Sequence, residues 1–206
     1  MNAPLARLAG AARQSAEERI AGLLDVTDAL IRRTRSAEIS LHEVAAELGI
    51  SRALVYAYFP DRYRLLDAVL ARHLAWLEQA GLSAAATAPG PFEPRVGACA
   101  QILLQHVVAH GATLELIMRE RDVARQLDGT ARRYLRRIVI ALARQAVGEL
   151  KMGNMEAVAL VELLAVIPLE AARRVSGDGV DPEIAASVCA RLVRSSVQAQ
   201  VPAGAA

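Results

Sequence analysis

The stretch from residue 40 to residue 59, SLHEVAAELGISRALVYAYF, constrains the fold more than any other, because it spells two short helices joined at a single glycine. Leu41, Val44, Ala45 and Leu48 recur at i, i+3, i+4 and i+7, which marks one buried stripe of a first helix. Ser40 can cap its start with a side-chain oxygen. Gly49, just past the last periodic residue, accepts the left-handed conformation that ends a helix, and Ser51 can cap the next one, Arg52 to Phe59. Pro60 closes that second helix, since the residue before a proline disfavours helical angles. Asp61 then caps a third, which carries Leu65, Leu66, Val69, Leu70 and Leu74. Helix, four-residue turn and helix form a helix-turn-helix, a geometry able to set a helix into a DNA groove.

The rest of the chain reads as helix too. In 206 residues alanine, leucine and arginine dominate, so the expected class is all-α, and the length is ample for a core. A supporting helix is expected from about Ser15 to Arg33. Residues 1–15 read as an arm, able to follow a phosphate backbone or minor groove through Arg7 and Arg13, or as a plain tail. Residues 16–77 make the helix-turn-helix domain. GLSAAATAPGPFEP, residues 81–94, reads as a linker. A second helical domain, 95–206, should hold helices over Arg95–His110, Thr113 to about Leu127, Thr130–Lys151, Met155–Val175 and Ile184 to about Ala199. In the fourth of these Gly153 ends the preceding helix and Asn154 can cap the new one, Gly177-Asp178-Gly179 is a turn, and Asp181-Pro182 caps the last helix.

The net charge of +2 is mild, so DNA binding would depend on local geometry and not on a globally basic surface. Cys99 and Cys189 are single and far apart, giving neither metal spacing nor a secreted disulfide framework. The most apolar run, Ala157 to Ala172, is broken by Glu162, Pro168 and Glu170, which argues against a membrane span. With no signal-peptide pattern at the start, the expectation is a soluble, cytoplasmic protein with no membrane partner.

From Ile20 to Leu66 the chain resembles the DNA-binding domain of the TetR family of transcriptional regulators. The resemblance rests on Ser40, Val44, Ala45, Leu48, Gly49, Ile50, Ser51, Val55, Tyr56, Tyr58, Phe59, Arg62, Leu65 and Leu66. It implies an N-terminal three-helix helix-turn-helix domain followed by a C-terminal helical ligand-binding and dimerisation domain. It also implies a ligand-responsive repressor that acts as a homodimer on a palindromic double-stranded DNA operator, released by a small-molecule effector whose identity the sequence does not carry. A non-specific DNA-organising protein and a helical enzyme are the alternatives, although no nucleophile elbow, phosphate loop or metalloprotease helix appears, and no cofactor is called for.

Periodicity alone leaves open which side of the second helix faces DNA; the resemblance turns Val55 and Phe59 inward. The DNA-facing set is then Ser40, Leu41, Ser51, Arg52, Ala53, Leu54, Tyr56, Ala57, Tyr58 and Arg62. Arg52, at the N-terminus of the recognition helix, can read a guanine edge or hold a phosphate. Leu54 stands where the family usually has a small polar residue; it can press on a thymine methyl or belong to the core. Tyr56 and Tyr58 match phosphate-binding positions, with core packing the competing role for Tyr56, and Arg62 matches a backbone-clamping lysine.

Helix register places Leu103, His106, His110, Leu114, Met118, Tyr134, Leu135, Ile138 and Glu162 as candidate effector contacts, and the low aromatic content favours an aliphatic or mixed ligand. His106 and His110 are four apart, a spacing that could share a metal, line a pocket or simply occupy a helix face; a metal would need further ligands that the sequence does not supply. Arg132, Arg133, Arg136 and Arg137 form a basic strip that could meet an anion or pair with neighbouring acids, and His73 stands alone. Leu160, Leu164, Ile167, Ala171, Ile184, Val188 and Leu192 are the candidate dimer contacts, with burial inside one subunit as the competing role. The expectation is therefore a DNA-binding protein without catalytic or metal-binding residues.

Overall fold

The computed structural model describes residues 15–201, so Arg7 and Arg13 of the expected arm lie outside the described residues. Eleven α-helices and no strand occur among the described residues. The first four are α1 (Ala16–Thr34), α2 (Leu41–Leu48), α3 (Arg52–Tyr58) and α4 (Arg62–Gln79). They are followed by α5 (Leu82–Thr87), α6 (Phe92–His110), α7 (Thr113–Arg119), α8 (Arg121–Gln126), α9 (Thr130–Leu150), α10 (Asn154–Asp178) and α11 (Pro182–Gln198).

The start of each DNA-domain helix is fixed by a side chain that satisfies an otherwise orphaned backbone N–H. Ser15 and Glu18 form a reciprocal capping box at α1, and Ser40 and Glu43 form another at α2. The Ser51 hydroxyl accepts from the Leu54 N–H and the Asp61 carboxylate from the Arg64 N–H. Gly49 ends α2 at φ 64°, and its N–H and that of Ile50 return to carbonyls of the last turn. The expected helix boundaries here agree with the structure to within a residue; Phe59 is the cap of α3 and not its last turn.

The segment 81–94 differs from its expected role as a linker. It carries α5 and the first turn of α6, with Leu82, Ala86 and Phe92 buried. Glycine, proline and alanine suggest a loop locally, but three apolar side chains with a core to enter outweigh that weak propensity. The single segment expected from Thr113 to Leu127 is two helices, split at Glu120. Glu120 accepts from the Ser36 hydroxyl and the Ala37 N–H, tying the α1–α2 loop to the α7–α8 junction. Gly153, not Asn154, is the N-cap of α10, while Lys151 takes the left-handed cap of α9. α10 also runs through Gly177 and Asp178 and ends only at Gly179.

One continuous core extends from Leu23 and Ile31 on α1, through Leu65, Leu66, Val69 and Leu77 on α4, to Leu104, Leu142, Leu164 and Val193 in the later helices. α4 touches α1 on one side and α5, α6, α7 and α9 on others, which makes it the shared wall of both halves. Where α6 ends, Gly111 adopts φ 79° and ψ 176°, a region open essentially to glycine alone, and Arg32 of α1 lies where a Cβ would stand. Gly49→Ala should cost about 1–2 kcal/mol in urea unfolding, the ordinary penalty of a left-handed alanine. Gly111→Ala should cost more, since Arg32 must also be displaced; an equal or smaller loss would show that the α1–α6 contact is loose.

Candidate nucleic-acid interface and ligand cavity

Val55 on α3 and the capping Phe59 are buried, while Arg52, Ala53, Tyr56 and Ala57 are exposed, along with the capping Ser51. Leu54 is half-buried but lies outside the core cluster; Tyr58 is half-buried and packs against it. Arg52 donates from Nη2 to Nε2 of His42 on α2 at 3.0 Å. Among the described residues it pairs with no carboxylate, so its positive charge is available to an anion. His42 was not among the expected DNA-facing residues; its place next to Leu41, on the exposed side of a helix whose buried stripe was readable, was the available signal. Arg62 donates to the Tyr63 hydroxyl at 3.0 Å and lies over the Tyr63 ring.

Leu41 requires a correction. Only 5% of it is exposed and its side chain belongs to the core, so from this position only the backbone at the start of α2 can face DNA. Its spacing with Val44 and Ala45 already placed it on the buried stripe. Ser40 remains exposed beside it.

A cavity of about 420 Å³ opens between α6, α7, α9 and α10, and its walls are overwhelmingly apolar. Of the expected effector contacts, Leu103, His106, Leu114, Met118, Leu135, Ile138 and Glu162 line it. His110 and Tyr134 do not. His110 stacks on Trp76, ring centroids 3.9 Å apart, one helical turn beyond the cavity. Tyr134 donates to Glu78 on α4 at 2.7 Å and so anchors α9 to α4. Residues the sequence reading missed, among them Val96, Cys99, Val161 and Leu169, come from faces that look like ordinary core until the helices are assembled. Pro168 lies beside them and lacks the N–H that would close on the Leu164 carbonyl. Leu164, expected at a dimer contact, is 3% exposed and faces this cavity.

Of the expected dimer contacts Ile184 (60%), Val188 and Leu192 are exposed, and so are Leu163 (68%), Val166 and, at the start of α10, Met155. Leu160, Ile167 and Ala171 are half-buried against the core. A helix apolar nearly all round does not disclose from sequence which side its own core takes, so Leu164 and Leu163 were not separable.

His73, alone in the sequence, is the centre of a buried polar chain. Its Nε2 lies 2.9 Å from Oδ1 of Asp28 on α1, and its Nδ1 lies 3.0 Å from Nε2 of His106 on the cavity wall. Arg72 also bonds Asp28, pairs with Asp25 at 2.6 Å and lies over Trp76. Burial pushes the Asp28 carboxyl up, but His73 and Arg72 more than offset it and hold it below the ordinary carboxylate range. Burial drives His106 down to about 4, with His73 and His110 adding to the effect. No group of three or more potential ligands among the described residues has metal-holding geometry. The expected basic strip is partly spent on neighbours: Arg132 bonds the Ala124 carbonyl, Arg133 the Asp128 carbonyl and the Thr130 hydroxyl, and Arg137 lies over Tyr134. No helix among the described residues is long and apolar enough to cross a membrane.

The sequence model described as "Bacterial regulatory proteins, tetR family" matches residues 23–69, from the middle of α1 to the middle of α4. No curated protein matches the chain. Among solved structures, a TetR-like transcriptional regulator from Rhodococcus sp. RHA1 aligns at a TM-score of 0.68 and 19% identity, covering 90% of this chain and 99% of that one. A bacterial regulatory protein in the tetR family, also from Rhodococcus RHA1, aligns at 0.67 and 16% identity over 93% of this chain and 100% of that one. The TetR-like regulator LfrR from Mycobacterium smegmatis, in complex with proflavine, aligns at 0.54 and 16% identity, covering 88% and 98%.

The folded His106 imidazole sheds a proton that the unfolded chain keeps between pH about 4 and 6.5, so stability is full above 6.5 and falls as pH drops toward 4. In His106→Leu, urea midpoints should decline less steeply over that window, with a residual slope because His110 is shifted the same way. A slope equal to that of the unaltered protein would mean that His106 is not held neutral by its surroundings.

Proposed function

We propose that the chain is a DNA-binding transcriptional regulator of the tetR family, whose model matches residues 23–69, and that it is a homodimeric repressor released from a palindromic operator by a small molecule. The observation that carries this reading is that one chain combines a capped, outward-facing α3, whose Arg52 pairs with no carboxylate among the described residues, with an apolar cavity in the domain behind it.

In this reading α3 enters the major groove with Ser51, Arg52 and Ala53 leading, because a recognition helix reads bases mainly through its N-terminal residues. Arg52 contacts a guanine edge, and Leu54 and Ala57 pack along the groove floor. Ser40, Tyr56, Tyr58 and Arg62 hold phosphates, contacts that set register without reading sequence. Leu163, Val166, Ile184, Val188 and Leu192 supply the dimer contacts, with Leu160, Ile167 and Ala171 at their margin; large exposed apolar side chains grouped on two packed helices are what a self-association surface presents. The effector occupies the 420 Å³ cavity against Leu103, His106, Leu114, Met118, Leu135, Ile138 and Glu162. The bound proflavine in LfrR supports a ligand role for a chain of this fold.

Two recognition helices of a dimer meet major grooves about 34 Å apart, so a ligand preferring another spacing weakens DNA binding by the factor that DNA weakens the ligand. Footprinting on DNA upstream of its own gene should show protection of a palindrome at moderate salt; protection without a defined site would favour a DNA-organising protein. Arg62→Ala should weaken binding to all sequences alike and lower the slope of log K against log salt by about one. An unchanged slope would remove Arg62 from the phosphate contacts. Leu163→Glu with Ile184→Glu should give a monomer in sedimentation, and a persistent dimer would place the interface elsewhere.

A further inference from the structure

Beside the apolar cavity lies a second, polar space of about 570 Å³, a groove between the C-terminal ends of α1 and α10 and the α6–α7 corner. Its charges are unequal. Arg32 and Arg35 come from the end of α1, Arg119 from α7 and Arg173 from α10, against two carboxylates, Glu115 and Glu120. Glu120 is already engaged by the Ser36 hydroxyl and the Ala37 N–H. Arg119 faces Glu115 only at 3.9 Å, and Arg173 bonds Glu170. Arg32 and Arg35 pair with no carboxylate among the described residues.

The carbonyls that end α1, α6 and α10 favour cations here, but they use little of this charge. Among the described residues the arginines of the groove make one bond to a backbone carbonyl, from Nε of Arg32 to Asp28 at 3.3 Å. Nη2 of Arg35 comes within 3.9 Å of where a Cβ on Gly177 of α10 would stand, so its guanidinium reaches across the groove. The groove and the cavity adjoin: Val107, Gly111, Ala112, Glu115 and Arg119 line both. An apolar chamber next to an excess of arginine matches a molecule with the same two parts.

Resting on the reading of this cavity as the effector site, we propose that the effector is an amphipathic anion, with an aliphatic body in the cavity and a carboxylate head group in the groove among Arg32, Arg35, Arg119 and Arg173. A guanidinium fork meets a carboxylate with two parallel N–H donors, and the head group supplies the negative charge that the groove lacks. A neutral ligand of the same length gains the apolar burial alone. The head group also bridges two elements. α1 packs chiefly on α2, α4 and α7, and among the described residues no hydrogen bond joins it to α10. A carboxylate held by Arg35 and Arg173 makes that tie, and so connects the occupied cavity to the helix that supports the helix-turn-helix.

Decanoate and decan-1-ol are the probes, titrated calorimetrically into the full chain without DNA at neutral pH, below the concentrations at which they aggregate. A purely apolar site would favour the alcohol, which costs less to remove from water. Decanoate should instead bind about tenfold tighter, the worth of one hydrogen bond to a charged group. In Arg35→Gln with Arg173→Gln that preference should vanish while decan-1-ol binds as before. Arg174→Gln removes the neighbouring charge, which pairs with Glu170 and Asp178 outside the groove, and should keep the preference. A second measurement needs no variant: added salt should weaken decanoate and not the alcohol. Equal or tighter binding of the alcohol, a preference that survives the double variant or is lost equally in Arg174→Gln, the same salt response for both probes, or no saturable binding of either would each overturn the proposal. Because the titration uses no DNA, the two readings fail separately. Decanoate preference through Arg35 and Arg173 without a protected operator keeps the ligand assignment and sinks the repressor; a protected operator without decanoate preference does the reverse.

Discussion

The burial of α4 on both sides is the constraint on which the rest of the structure depends. Leu65, Leu66, Val69 and Leu77 have no exposed surface, and the helix touches α1 as well as α5, α6, α7 and α9. Each such side chain stabilises the fold by roughly 1.5–3 kcal/mol when removed from water. That burial is strong but non-directional, because one apolar neighbour serves nearly as well as another. It holds the DNA-facing helices to the domain behind them without stating at what angle. Under the proposed reading the angle is the property that matters, because the two α3 helices of a dimer must meet DNA together.

The angle is specified by polar ties at three places around α4 and α1. Glu120 accepts from Ser36 and Ala37 at one edge, Tyr134 donates to Glu78 at another, and the His106–His73–Asp28 chain crosses the middle. A net hydrogen bond is worth only about 1 kcal/mol, yet a buried polar group left unpaired costs about 1–3 kcal/mol. Sliding α6 over α4 by a fraction of a turn would keep most apolar contacts while orphaning His73 between two elements. The polar ties therefore favour discrete arrangements over continuous drift, which is what a two-state device requires.

How much of this was readable beforehand follows the range of the interactions. Ser40, Gly49, Ser51, Pro60 and Asp61 act within a few residues of themselves, and the helices they bound lie where the sequence places them. α5 was hidden because Leu82, Ala86 and Phe92 take their meaning from a core that lies elsewhere in the chain. The buried polar chain was hidden more completely: His73 is 33 residues from His106 and 45 from Asp28, and nothing local to any of the three predicts the others. The cavity stands between these extremes. Helix register brought Leu103, Leu114, Leu135 and Ile138 to one side, but it could not tell His106 from His110, four residues apart on the same face. Only the stacking of His110 on Trp76 separates them.

A chain of hydrogen bonds also differs from an apolar contact in what it can transmit. Apolar packing reports size, whereas the His106–His73–Asp28 chain has a direction, because a bond between two imidazoles needs one nitrogen to donate and the other to accept. Under the proposed reading, an effector can shift the DNA-binding equilibrium only by its difference in affinity between two arrangements of these helices. Filling the apolar cavity contributes to affinity in both arrangements if the walls move little. His106 both lines the cavity and bonds His73 on α4, so a contact that differs with the placement of α6 on α4 is what could carry the difference that DNA senses.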